Sequence, residues 1–493
     1  MKNIYKAITA ALAAGMFVGA SSKVVLPSFY ADNMVLQQKA LMTIKGKALP
    51  NSVVKFTASW NKKAVSTKAD AQGNFTVKFH VPAASMKPYK LSFNDGDGEK
   101  VLSDVYSGEV WLCSGQSNME MPVRGWGMIN DNAREVADAA NYPMIRFLQV
   151  KMSAKQPKPA DDTELWKTWE ICSPKSVEQF SALAYLFGKE LYDRLRVPIG
   201  LVQSAYGGAN AEAWVGYETL QTMPEYKSDL EKYKKYGFVN DTIQKYAKRP
   251  EQQIPTLLYN TMLYPIHVLP IKGAIWYQGC ANVGYGDYTS LMNNLITSWR
   301  KLWGYNFPFY YVQLAGFQNQ VNLQPESTWA ALRWSQWKTL KLPRTGMATA
   351  VDVGNQKDIH PKNKQEVARR MALIALNKTY GFKDLVYEAP VPVKYKFSDG
   401  KATLTFNKKI HVRNDSVACG FILCDANNKF VEGKAKLENP TTISITGAGL
   451  GKITAVRYDW ADYPIGNIYG DTNLPVLPFR TDEMQLVNTD KKK

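Results

Sequence analysis

Between residues 104 and 388 the sequence alternates short apolar runs with longer stretches of helical periodicity, and this alternation limits the possible folds more than any other feature. The runs read EVWLC, PIGLVQS, KGAIWYQ, PFYYVQLAGF and TGMATAVDVG. Such runs are typical of strands buried on both faces of a parallel sheet, with crossover helices between them. The pattern therefore predicts a central α/β domain over 104–388.

Two of the intervening stretches carry helix signals. In the first, Asp287 suits an N-cap and Gly304 suits a helix end. In the second, Pro361 suits a first helical turn. The apolar positions that mark one face of each helix are Tyr288, Leu291, Leu295, Trp299 and Leu302 in the first and Val367, Met371 and Ile374 in the second.

The regions on either side of the α/β domain show strand patterns. Within residues 23–103, the segment NFTVKFHV alternates apolar and polar residues after a turn at AQGN. Residues 389–493 contain KATLTF, VACGFILC and KITAVRYDW, separated by turn residues. Both patterns predict antiparallel β regions that flank the central domain.

The first 22 residues resemble a signal peptide. They combine Lys2 and Lys6 with an apolar stretch from about Ala7 to Ala20 and small residues at the end. No later segment offers the roughly 20 apolar residues that a membrane-spanning helix needs. Because the first cysteine is Cys113, a lipoprotein anchor is not expected. We expect a periplasmic or extracellular protein without a membrane span in the mature chain, the alternative being an uncleaved N-terminal anchor.

Composition argues against several classes of ligand. The formal net charge is +18, but the lysines are spread along the chain without a motif that reads nucleic acid, so no nucleic-acid partner is expected. The 5 cysteines are scattered and the 4 histidines form no HExxH. The sequence also contains neither a P-loop nor a GxGxxG motif. We therefore expect no metal and no other cofactor.

Polar residues follow several of the apolar runs, at the points where the predicted strands end. In an open α/β sheet, ligands bind just beyond the carboxyl ends of the strands. A serine, a pair of glycines, an amide and an Asp-x-His segment at this edge are the parts of an acyl-transfer site. The residues are Ser117, Gly207 and Gly208, Asn282, and Asp358 with His360.

The small number of histidines identifies the general base. His80 lies in the first β region and His411 in the last. His267 precedes a predicted strand, which places it at the opposite edge of the sheet. By elimination, His360 is the expected base, and a structural role at a helix start before Pro361 is the alternative.

The segments GQSNMEMP, QSAYGGANAEAW, GAIWYQGCAN and DIHPKNKQEVARRMA resemble, in this order, the sialate O-acetylesterase-like carbohydrate esterases of the SGNH hydrolase class. The resemblance covers nearly the whole mature chain. It implies an SGNH-like three-layer fold and a secreted serine esterase that removes O-acetyl groups from carbohydrates through an acetyl-Ser117 intermediate. It further implies His360 as base and an oxyanion hole made of the Ser117 N–H, Gly208 (or Gly207) and Asn282.

The sequence departs from the family pattern in two places. Members commonly read WYQGESN, whereas this chain has Cys280 and Ala281. The class uses Asp-x-x-His, but Lys357 holds that Asp position, so the expected acid is Asp358, which can reach His360 only from an extended segment. Asp352 and a backbone carbonyl remain alternatives for the acid.

The substrate is expected to be an acetylated carbohydrate, either sialic acid or a sugar of a plant or host polysaccharide. We expect Gln116 and Gln278 to contact it. Arg124 follows GQSN closely and is suited to the carboxylate of a sialic acid. A glycan-binding protein that retains the esterase scaffold without its catalysis is the alternative function.

Overall fold

The computed structural model describes residues 24–61, 63–235, 249–415 and 417–486. They form two compact units, one containing residues 24–26, 45–77 and 91–101 and the other the rest of the described chain. The C-terminal strands thus share a unit with the central sheet, and the domain boundaries after residues 103 and 388 stay a prediction. The expected signal peptide, residues 1–22, lies outside the described residues. Across the described ranges, no helix is long and apolar enough to cross a bilayer.

The N-terminal region is built from strands, as its alternating pattern predicts. Antiparallel pairs join β3 to β4, and β3 to residues 91–94 of β6. In β5 the apolar positions are buried and the polar positions between them are exposed. The strands are β1 (Val35–Gln37), β2 (Leu41–Lys47), β3 (Val53–Ala58), β4 (Ala64–Lys68), β5 (Asn74–His80), β6 (Tyr89–Asn94) and β7 (Glu99–Gly115).

The central sheet confirms the predicted α/β fold. The strands that follow are β8 (Ile145–Val150), β9 (Leu165–Ile171), β10 (Ile199–Ala205), β11 (Gly273–Tyr277), β12 (Phe309–Gln313) and β13 (Thr345–Thr349). With β7 they lie in the order β13-β12-β11-β7-β10-β8-β9. Neighbours are parallel except β9, which runs antiparallel to β8. All the predicted apolar runs form strands of this sheet, whereas β8 and β9 were not among them.

Helices cover both faces of the sheet. They are α1 (Ser117–Glu120), α2 (Asn132–Asp138), α3 (Pro174–Val177), α4 (Ala182–Leu195), α5 (Tyr217–Leu220), α6 (Pro224–Lys235), α7 (Tyr288–Trp303), α8 (Thr328–Lys338) and α9 (Lys364–Lys378). Two successive residues of β12 contact different helices. The Tyr310 hydroxyl is hydrogen-bonded to Thr379, just after α9, whereas the Tyr311 hydroxyl donates to the Gln336 carbonyl of α8. Side chains of adjacent strand residues point to opposite faces, so α8 and α9 lie on opposite sides.

The structure confirms both ends of the first predicted helix, whereas the second helix starts three residues later than its sequence signal indicates. Asp287 caps α7 by accepting from the Thr289 and Ser290 N–H groups, and Gly304 ends it with a φ of 78°. The second helix does not start at Pro361. It begins at Lys364, because the side chain of Asn363 accepts the Glu366 N–H and supplies the cap.

The C-terminal region is antiparallel β structure, as predicted. Its sheets have the orders β14-β15-β20-β19, β18-β17-β21-β23 and β16-β22. The strands are β14 (Pro392–Ser398), β15 (Lys401–Phe406), β16 (Ile410–Val412), β17 (Phe421–Asp425), β18 (Phe430–Glu432), β19 (Lys434–Asn439), β20 (Thr442–Thr446), β21 (Ile453–Tyr458), β22 (Ile468–Gly470) and β23 (Phe479–Arg480). One apolar cluster, which includes Leu404, Leu423, Ile443 and Val456, forms the core of this region.

Candidate active site

The predicted site residues all follow strands that end at the same edge of the central sheet. Strand β7 ends at Gly115 and is followed by Ser117, and β11 ends at Tyr277, before Asn282. The glycine pair follows β10, and the Asp-x-His segment follows β13. Since β7 lies between β10 and β11, the serine, the glycines and the amide come from adjacent strands.

The turn after β7 needs glycine at position 115. Gly115 has a φ of +143°, and a Cβ there would lie 2.2 Å from the Tyr277 carbonyl oxygen. The next residue, Gln116, donates its N–H to the same carbonyl over 3.0 Å. The chain then turns at once into α1, whose first residue is Ser117. The serine is thereby held at the end of the strand rather than within it.

Ser117, His360 and Asp358 form a continuous chain of contacts. The Nε2 atom of His360 lies 2.9 Å from the Ser117 Oγ. Its Nδ1 atom lies 3.2 Å from the Asp358 Oδ1, which also accepts the His360 backbone N–H over 2.9 Å. The segment after β13 is non-helical at these residues, which is the condition under which a spacing of two brings Asp358 to His360.

Asp352, the alternative acid, is engaged elsewhere. Its two carboxylate oxygens accept from Arg370 over 2.6 and 2.8 Å. The hydroxyl of Tyr469 donates to the same carboxylate over 3.0 Å. Burial opposes the charge of Asp352, but these donors hold its pKa below the ordinary value. Asp352 therefore joins α9 to the C-terminal strand β22, and Asp358 is the carboxylate that contacts His360.

Burial favours the neutral form of the His360 imidazole. Its pKa lies below the ordinary value mainly because the ring is desolvated, while the carboxylate of Asp358 acts in the opposite direction. The positive charge of Lys364 also lowers the pKa of His360. A neutral imidazole is the form that accepts a proton from a serine hydroxyl.

The two glycines after β10 differ in the state of their N–H groups. Gly207 donates to the Glu120 Oε2 over 2.6 Å, so its N–H is already used. Gly208 has a φ of +72°, and its N–H has no acceptor among the described residues. The N–H of Ser117, at the start of α1, is likewise without an acceptor in these ranges. Gly208 is therefore the better placed of the two to donate to a ligand.

Asn282 is buried and held by three hydrogen bonds. Its Oδ1 accepts from the Ala211 N–H over 2.9 Å and from the Gln278 Nε2 over 2.7 Å. Its Nδ2 donates to the Glu212 Oε2 over 2.9 Å. A side-chain amide has two N–H donors, so one N–H of Asn282 remains beyond these contacts.

The residues expected to bind substrate are largely occupied by internal contacts. Gln278 is fully buried, and its amide is hydrogen-bonded to the Ala209 carbonyl and to the side chains of Asn282 and Tyr288, so its contact with substrate stays a prediction. Gln116 accepts from the Gly279 and Ala281 N–H groups. Arg124 forms an exposed ion pair with Glu178 over 3.0 Å.

Sequence reasoning missed several supporting residues. Asn118 donates to the Ile359 carbonyl over 3.1 Å and accepts from the Lys364 Nζ over 2.6 Å, which ties the serine turn to the histidine segment. Glu120 and Glu212 hold Gly207 and Asn282. The signal was present, because Asn118, Glu120 and Glu212 lie within the quoted segments GQSNMEMP and GANAEAW, next to the residues they support.

Comparisons with known proteins converge on one family. The profile described as "Carbohydrate esterase, sialic acid-specific acetylesterase" matches residues 107–376. Mouse sialate O-acetylesterase is 29% identical over 487 residues, a match that covers 88% of this chain and 89% of the mouse protein. The human protein of the same name is also 29% identical, with coverages of 89% and 87%. The crystal structure of a carbohydrate acetylesterase from Xanthomonas citri has a TM-score of 0.82 and 35% identity, covering 93% of this chain and 100% of that one.

The contacts of Asp352 predict a structural role that activity can separate from that of Asp358. We expect Asp352→Asn to lower the free energy of unfolding by about 3 kcal/mol, because it leaves the buried Arg370 short of a carboxylate. The turnover number of the folded variant should stay near that of the wild type. Urea titration and esterase assays measure the two quantities. A loss of turnover without a loss of stability would instead identify Asp352 as the acid.

Proposed function

This chain belongs to the sialic acid-specific acetylesterase family and is a carbohydrate O-acetylesterase, and we propose that it acts through a covalent acetyl-Ser117 intermediate. The observation that carries this proposal is the contact of 2.9 Å between the Ser117 Oγ and the His360 Nε2. The carboxylate of Asp358 contacts the Nδ1 atom of the imidazole and favours the tautomer with the proton on Nδ1, which leaves Nε2 free to accept a proton.

In the first half of the reaction, the Ser117 Oγ attacks the acetyl carbonyl carbon while His360 takes the hydroxyl proton. The carbonyl oxygen becomes an oxyanion. We assign its stabilisation to the N–H groups of Ser117 and Gly208 and to the remaining side-chain N–H of Asn282, none of which has another acceptor among the described residues. The bond to the sugar oxygen then breaks, and His360 returns the proton to that oxygen.

In the second half, water replaces the sugar alcohol. His360 takes a proton from the water as it attacks the acetyl-serine carbonyl, the same donors hold the second oxyanion, and the Ser117 Oγ leaves with the proton from His360. The products are acetate and the free enzyme, so the cycle needs no cofactor.

We also propose that the protein is exported. The support is the basic, apolar and small-residue pattern of residues 1–22. Acetylated polysaccharides and glycans of the cell exterior are then the accessible substrates.

The direct test of the proposed function is acetate release by the wild type and by Ser117→Ala from acetylated xylan and O-acetylated sialic acid in parallel. We expect the variant to lose at least roughly 1000-fold in turnover, because within the described ranges Ser117 is the nucleophilic side chain in hydrogen-bond contact with His360. Its melting temperature should change little. Equal release by both proteins would exclude Ser117 as nucleophile, and no release by the wild type from any acetylated sugar would favour the glycan-binding alternative.

Asn282→Ala tests the assignment of the oxyanion hole. We expect turnover to fall roughly 100- to 1000-fold, the usual effect of removing one oxyanion donor. Stability should also fall, since Glu212 and Ala211 lose a partner in the interior. Assays well below the melting temperature separate the two effects, with Asp352→Asn as the control that is destabilised outside the hole. Near-normal turnover of folded Asn282→Ala would contradict the assignment.

The electrostatics of His360 predict the acid side of the pH profile. As a base His360 must be neutral, so kcat/KM rises with pH through its pKa, which lies below the ordinary 6.5. We expect activity to remain high at pH 6.5 and to fall only at lower pH. Asp358→Asn removes the charge that raises the pKa of His360. The acid limb of the kcat/KM profile should therefore move to lower pH, while kcat/KM itself falls about 100-fold or more.

The exposed neighbour Lys357 provides the control for this profile. Lys357→Ala changes a charge that faces solvent, where screening is strong, and should leave the profile in place. An acid limb above pH 6.5 in the wild type, or an unmoved limb in Asp358→Asn, would contradict the assigned pair.

A further inference from the structure

A cavity of about 280 Å³ opens beside the catalytic contact and has no part in the mechanism above. Its wall includes Glu120, from the same short helix as Ser117, and Trp126, whose ring meets the His360 ring edge-on at 5.2 Å. The carboxylate of Glu120 accepts the N–H of Gly207, next to the proposed oxyanion donor. The cavity is therefore connected to the site by Trp126, which contacts His360, and by Glu120, which belongs to the same helix as Ser117.

Two unusually exposed tryptophans line this cavity. Trp126 is 46% exposed and Trp166 is 53% exposed, and no other tryptophan in the described ranges is as exposed. Large aromatic side chains left in solvent on one cavity wall are typical of a binding surface. Since the two residues come from distant parts of the chain, their meeting here is a property of the fold.

The rest of the wall is suited to hydroxyl groups. Gln149, Gln179 and Glu120 line the same cavity, and the Gln179 Nε2 also donates to the Arg124 carbonyl over 3.1 Å. Carboxamides both donate and accept hydrogen bonds, and a carboxylate accepts them. Apolar faces combined with a few polar groups of this kind are what a sugar ring, with its apolar C–H surfaces and its hydroxyls, requires.

Charge on and around the wall argues against an anionic sugar. Lys167, the cation of the wall, pairs with Glu170 over 3.1 Å. Lys151, whose Nζ lies 5.7 Å from the Trp166 ring, pairs with Glu164 over 2.6 Å. Arg124, expected from sequence to hold a sialic acid carboxylate, is likewise paired with its own carboxylate partner. Each cation is thus balanced, while Glu120 adds a carboxyl group that is not balanced by a cation among the described residues.

We propose that this cavity binds the ring of an uncharged O-acetylated sugar, with Trp126 and Trp166 against the ring and Glu120 accepting a hydrogen bond from a ring hydroxyl. The proposal rests on the proposed function, because the acetyl group at Ser117 sets the position of the ring. Glu120 is then a specificity-determining residue, which disfavours a carboxylate on the sugar and favours a hydroxyl.

The first test compares KM for acetate release from an acetylated methyl glucoside by the wild type and by Trp166→Ala. We expect KM to rise roughly five- to tenfold with little change in kcat, because Trp166 contacts the ring and not the acetyl group. The KM of Trp166→Phe, which keeps an aromatic face, should lie between those of the wild type and Trp166→Ala. Tyr395→Ala, on the C-terminal strand β14 and 48% exposed, is the matched control for loss of an exposed aromatic and should leave KM unchanged. An unchanged KM in Trp166→Ala overturns the proposal.

The second test concerns charge and compares the glucoside with O-acetylated sialic acid. We expect the wild type to have a higher kcat/KM for the uncharged sugar than for the sialic acid. Glu120→Gln, which keeps an acceptor for the Gly207 N–H, should lower the ratio of these two kcat/KM values at least about threefold. A wild-type preference for the sialic acid, or a ratio unaffected by Glu120→Gln, overturns the proposal. If acetate release depends on Ser117 but neither Trp166→Ala nor Glu120→Gln changes the kinetics, only this inference is refuted. If the wild type releases no acetate, the proposed function is refuted as well.

Discussion

The site depends on the close approach of two parallel backbones, those of β7 and β11, at Gly115 and Tyr277. The two residues are in register, and the Tyr277 carbonyl accepts the Gln116 N–H at the point where a side chain on Gly115 would collide with it. A Cβ there would push the strands apart and displace the turn that holds Ser117 together with the turn that leads to Asn282. The absence of a side chain at Gly115 thus fixes the relative positions of Ser117, the proposed nucleophile, and Asn282.

Beyond this point, uncharged amides connect the loops at the sheet edge. Gln116 accepts from the loop after β11, Gln278 holds Asn282, and Asn118 holds the carbonyl before His360. An amide both donates and accepts, so it can satisfy backbone groups in the interior without the cost of burying a charge. Each loop is thereby bound to its neighbour, and the donors that we propose for the oxyanion are oriented before substrate arrives.

The sequence was sufficient for five of the seven central strands, all except β8 and β9, and for the polar residues at their ends, because a parallel sheet collects its carboxyl ends at one edge. It was not sufficient to choose between Asp352 and Asp358, since both follow β13 and Asp352 is held by Arg370 on the next helix and by Tyr469, which lies 117 residues further along the chain. The contribution of Trp166 to the tryptophan-lined cavity was also not predictable. Trp166 lies on β9, whose sequence LWKTWEI mixes charged and aromatic residues and does not read as an apolar run.

The buried Lys364 lies close enough to Cys280 for the two groups to interact electrostatically. Lys364 is fully buried, and burial lowers its pKa to about 7. Burial raises the pKa of the Cys280 thiol to about 12, so the thiol is uncharged near neutral pH and does not cancel the lysine charge as a carboxylate at that position would. Below pH 7, where Lys364 carries its proton, its charge opposes protonation of His360. The imidazole therefore stays neutral, as the proposed role of His360 as a base requires, further into the acid range than it would beside a neutralised lysine.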